Sequence, residues 1–199
     1  MKIAAVLVFI AGALIQNEAL AQARSKFDFP ILQLTADLNN DGRADKVEVT
    51  QDTAQATAPY LLEIFFRQTD GSWKLVAGSA KIILPEYPYG RGGFISGNRF
   101  LDVTIHNGLL SVNHQLLRGH FEHQFRFYHG SFELVRYTEE SADGHGTGTA
   151  IEFNLISGLR KVVETNYEND KVISRKRERL KLRPLPRFEE VVPFDAEYY

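Results

Sequence analysis

The sequence predicts an all-β fold of mostly antiparallel hairpins, arranged as a sandwich or a partly open barrel. Short runs rich in β-branched and aromatic residues recur along the chain. Turn pairs such as Asp70-Gly71 and Asn107-Gly108 punctuate them. No stretch places apolar residues at helical spacing over the length that an amphipathic helix needs.

Residues 1–23 read as a cleaved signal peptide. Lys2 supplies the charged start, Ile3 to Ile15 the apolar run, and Ala19-Leu20-Ala21 or Ala21-Gln22-Ala23 the small-residue cleavage site. The apolar run is shorter than the roughly 20 residues of a membrane span, so no transmembrane segment is expected. The chain contains no cysteine, hence no disulfide and no lipid-attachment residue. The expected product is an exported soluble domain, periplasmic or secreted. Its formal net charge of −2 argues against nucleic-acid binding over the whole surface.

Residues 24–183 read as one β domain. Ile31 to Leu34 and Val47 to Thr50 are its first strands. Tyr60 to Phe66 is a buried strand, and Thr69 to Ser72 turns it into Trp73 to Val76. Lys81 to Leu84 is a further apolar run. Leu101 to Ile105 and Leu109 to Leu116 flank His106-Asn107-Gly108. Phe121 to Tyr128 returns through His129-Gly130-Ser131 into Phe132 to Tyr137. The polar loop Ser141 to Gly148 reads as a flexible connection. Thr149 to Leu155 and Leu159 to Thr165 flank Ser157-Gly158, and Asn166 to Asp170 turns into a last strand.

A two-residue Arg118-Gly119 loop would pair Leu116 with Phe121, His114 with His123, Val112 with Phe125 and Leu110 with Phe127, all on one apolar face. Two facing imidazoles are half of a zinc or copper site. They are equally the filling of a half-buried face. No third ligand is evident, since Glu122 points to the opposite face and His106, His120 and His145 lack ligand spacing.

The most readable chemistry lies in residues 37–48, DLNNDGRADKVE. Calcium takes six to eight oxygen ligands from a tight loop. The side chains of Asp37, Asn39 and Asp41, the Arg43 carbonyl and the Asp45 side chain, direct or through water, would supply them. Gly42 permits the sharp bend. An EF-hand would need flanking helices, whereas the flanks here alternate as strands. Glu48 therefore points away from the face shared by Val47 and Val49. The strand–DxNxDGxxD–strand order resembles FG-GAP/VCBS loops, and the hairpins after it resemble those of small exported bacterial proteins that carry one such loop. That resemblance implies structural calcium and carries no assigned activity. Asn40 stands where those loops usually have glycine.

Loop 85–99, with Tyr87, Tyr89, Arg91 and Phe94, is a candidate contact edge for a protein or glycan partner, or a cap folded over the core. Arg175, Arg177, Arg179, Lys181 and Arg183 alternate along one strand face, a stripe suited to anionic surfaces or to blocking edge pairing. Residues 184–199, with Pro184, Pro186 and Pro193 and the acids Glu189, Glu190, Asp195 and Glu197, are expected to run extended along the surface.

The leading functional reading is a non-catalytic binding or envelope-associated domain with structural calcium. A periplasmic hydrolase of cell-wall or glycan substrates is the alternative, although no G-x-S-x-G, HExxH or cysteine nucleophile occurs. Asp102, Glu122 and Glu133 would be its available acids. Inhibition of a secreted enzyme through loop 85–99 is a further possibility.

Overall fold

The computed structural model describes residues 26–93 and 99–194. The expected signal peptide, Phe94, Asp195 and Glu197 lie outside the described residues. Among those described there is no helix, and hence none long and apolar enough to cross a membrane.

Two antiparallel sheets, neither closed into a barrel, are built almost wholly from consecutive hairpins. The first has the order β1-β2-β3-β4, from Phe29–Ala36, Asp45–Gln51, Tyr60–Arg67 and Trp73–Ser79. The second runs β5 to β11 in sequence: Phe100–His106, Leu109–Leu116, Gly119–Tyr128, Ser131–Ala142, Thr147–Asn154, Leu159–Asn166 and Val172–Arg179.

Period-2 patterning sets the inward faces. In β2, Asp45, Val47, Val49 and Gln51 are buried, while Lys46 and Glu48 form an ion pair on the other side. Glu48 thus points away from the Val47 face, as expected. β3 is buried along most of its length. The sheets meet through one core, where Phe66 packs edge-on against Phe127 at 4.8 Å and Tyr60 lies 5.4 Å from Phe100. The larger sheet outgrows the smaller, so β10 is only half-buried and β11 is largely exposed.

The apolar run Lys81 to Leu84 forms a bend outside the sheets. Ser79 Oγ accepts the Lys81 and Ile82 N–H groups, and Ile82 and Ile83 plug the core. Its apolar character reflects burial without sheet pairing.

The β6–β7 register is offset by two. His114 pairs with Phe121, Val112 with His123, and Leu116 with Gly119, so Leu117-Arg118 forms the loop. A shift of two keeps every side chain on its face, which is why the apolar pattern alone did not separate the two registers. Gly119 decides it. Its φ is +126°, and a Cβ there would lie 1.9 Å from the Glu140 carbonyl oxygen. The glycine is needed inside the strand, not in the turn. Gly119→Ala is expected to destabilise the protein by about 1–3 kcal/mol, readable as a lower urea midpoint.

The tail also departs from expectation. Residues 184–194 do not simply lie along the surface. Pro186 carbonyl accepts the Leu134 N–H at 2.9 Å, and Phe188 N–H donates to Phe132 carbonyl at 2.9 Å. The segment thereby adds to β8 below the point where β9 pairing stops, and it buries Phe188 and Val191 in the core.

Candidate functional site

Residues 37–44 form the hairpin connection from β1 to β2, with strands on both sides. Asn40 and Gly42 both take positive φ, +61° and +80°, so the asparagine adopts the left-handed conformation that this residue tolerates well. Asp37 accepts the Asp41 N–H at 3.2 Å and the Gly42 N–H at 2.9 Å. Asn39 Oδ1 accepts the Asp41 N–H at 2.9 Å, and its amide donates to Asp41 Oδ2 at 3.0 Å. The loop thus draws Asp37, Asn39 and Asp41 together.

Asp45 sits at the loop's base, fully buried, and ties two hairpins together. Its carboxylate accepts the Leu38 N–H at 2.9 Å and the Arg67 N–H at 3.1 Å. Burial raises its pKa and the Asp41 and Asp37 charges raise it further, against the lowering effect of the two N–H donors. Asp41 goes the other way. Desolvation pushes its carboxyl up, but the Arg43 N–H, the Asn39 amide and the Arg43 guanidinium together hold it below the usual range. The Arg43 guanidinium pairs with Asp41 and also donates through Nε to the Arg67 carbonyl at 3.0 Å. Among the described residues no three His, Cys, Asp or Glu side chains are grouped so as to hold a metal by themselves. An ion here would have to draw on Asn39 and the Arg43 carbonyl as well.

His114 and His123 are fully buried, with ring centroids 6.2 Å apart and planes nearly perpendicular. They are diagonal neighbours rather than a facing pair. His114 stacks on Phe121 at 4.5 Å, and His123 lies among Phe121, Phe125 and Tyr137. His114 Nε2 accepts the Leu84 N–H at 3.4 Å, so a neutral ring carries its proton on Nδ1. Burial lowers both pKa values to about 3, with His114 adding to the effect on His123. Aromatic rings rather than acidic ligands surround the pair.

In the loop after β4, Arg91 lies 5.1 Å over the Tyr87 ring and donates to the Thr53 carbonyl at 2.7 Å. Those two side chains are engaged with the protein itself, whereas Tyr89 is 71 % exposed. The basic stripe is shorter than expected. Arg175, Arg177 and Arg179 share one exposed face of the edge strand β11, but Lys181 and Arg183 fall beyond its end. Arg183 instead donates to the Leu155 and Ile156 carbonyls at 3.1 and 2.7 Å, clasping the β9–β10 turn. Of the acids considered for hydrolysis, Asp102 accepts the Asn113 amide at 2.7 Å, and Glu122 accepts from Gln124 and Thr138. Glu133 pairs through its backbone with Arg187 of the tail.

Compared with known protein families, curated proteins and solved structures, the chain matches none. The likeness of residues 37–48 to FG-GAP/VCBS loops therefore rests on those residues alone.

Proposed function

We propose that the protein is an exported, non-catalytic binding domain whose first hairpin is clipped by a structural calcium ion. The observation that carries this reading is the gathering of Asp37, Asn39 and Asp41 in a loop bent at Gly42, above a buried Asp45. Asp37, Asn39, Asp41, Asp45 and the Arg43 carbonyl would hold the ion. Neutralising three neighbouring carboxylates would remove the repulsion that raises the Asp45 pKa. The ion would take over the role that the Arg43 guanidinium plays at Asp41.

Calcium should raise the melting temperature of the full chain. At 100 times its dissociation constant it adds about 2.7 kcal/mol. Asp41→Ala should remove most of that rise, and Arg43→Ala, which keeps the carbonyl, should retain it. Trp73 gives a second readout, because the Arg67 guanidinium lies 4.6 Å from its ring centroid while the Arg67 backbone bonds both Arg43 and Asp45. Identical melting with calcium and with chelator would end this reading.

A further inference from the structure

The outward face of the seven-stranded sheet sets its side chains in cross-strand rows. One row runs His120, Glu140, Ala150 and Val163 across β7 to β10. The next runs Glu122, Thr138, Glu152 and Lys161. At one end the surface drops, because Gly148, paired with Ala142 and Thr165, has no side chain and Ala150 has a short one. Two adjoining depressions result, of about 270 and 310 Å³, and both are lined by His120, Glu140 and Ala150. As one continuous groove they reach the size of ligand sites, roughly 300–1,000 Å³.

The chemistry of this groove changes along its length. At one end the Tyr167 ring leans over Gly148, where a Cβ would meet Tyr167 Cδ2 at 3.4 Å, yet the residue remains 66 % exposed. At the other end Glu152 accepts from Lys161 at 2.8 Å and from Arg136 at 3.1 Å. Opposite charges alternate here, so the groove offers fixed donors and acceptors without a strong net field. A polyanion would gain little from that balance. A neutral molecule with an apolar ring face and many hydroxyls gains at both ends: its ring stacks on the tyrosine, and its hydroxyls both donate and accept.

We propose that this groove binds a neutral oligosaccharide, with Tyr167 as the stacking platform and Glu140, Glu152 and Lys161 as hydrogen-bonding partners above the Gly148–Ala150 floor. The proposal rests on the reading of the protein as a binding domain and supplies its ligand class, but it needs no calcium.

The test is a titration of the ¹⁵N-labelled full chain with hexamers of β-1,4-linked glucose and of β-1,4-linked N-acetylglucosamine, with polyphosphate as the anionic comparison. At least one neutral hexamer should shift the Gly148, Ala150 and Tyr167 amide resonances. Tyr167→Ala should weaken binding by about tenfold. Ala150→Trp, which fills an exposed floor position, should abolish it while leaving thermal melting nearly unchanged. Shifts from polyphosphate alone, no shifts from either sugar, or sugar shifts indifferent to both variants would overturn the proposal. Melting with and without calcium on the same samples separates the two readings. A calcium response without sugar binding removes only the groove, and sugar binding without a calcium response removes only the ion.

Discussion

Phe188→Ala is expected to lower the stability of the protein by about 3–5 kcal/mol, the range for emptying a buried aromatic site. Phe188 is fully buried, and its ring meets Phe125 edge-on at 5.1 Å. Its backbone is fixed by the bond to Phe132, so the neighbouring strands have little freedom to collapse into the space. Glu189→Ala, at the exposed next position, should stay within about 0.5 kcal/mol. Urea unfolding of the two variants decides the matter. A loss under about 1 kcal/mol for Phe188→Ala would mean that the tail is an accessory to the core rather than part of it.

The tail shows where the sequence stopped being informative. Its prolines and acids predict an extended segment, but after Arg187 the chain turns, with the Glu190 and Val191 N–H groups both donating to the Arg187 carbonyl. What they do not reveal is that β8, at 12 residues, outruns the 8-residue β9. β9 pairs only from Arg136 onward, and the open stretch of β8 edge is where the tail adds. An unpaired strand edge is a property of two lengths and a register, and neither is local.

Hairpins closed by local chemistry were legible. Asn107-Gly108 takes φ values of +50° and +72°, the turn that the Asn-Gly pair favours. The alternation in β2 likewise predicted which side Glu48 would take. The β6–β7 register was not legible, because only the approach of Glu140 to Gly119 distinguishes it from one two residues away. The outer groove was invisible for a related reason. Its strand residues come from four strands, each at an ordinary outward position, and only the pairing brings them together.

Acid should unfold this protein at milder pH than its carboxylates alone would set, and the cause is the histidine pair. Above pH 6.5 both rings are neutral in the folded and the unfolded chain, so they add no pH dependence. Below it the unfolded chain takes up two protons that the folded core refuses until about pH 3. Stability therefore falls with pH across that window, by about 1.4 kcal/mol per unit for each histidine. From pH 7 to pH 5 the pair should remove roughly 4 kcal/mol. Asp45 works in the opposite sense, since its raised carboxyl binds a proton more readily in the folded state. That offset begins near the ordinary carboxylate pKa of about 3.9 and extends upward to the raised value of the folded state. His123→Phe places a phenyl ring among those of Phe121, Phe125 and Tyr137 and removes one of the two proton acceptors. Whatever it costs at pH 7, its loss of stability between pH 7 and 5 should be about half that of the unaltered protein. Parallel slopes for the two, measured by urea unfolding at each pH, would mean that the imidazoles are not excluded from protonation in the fold.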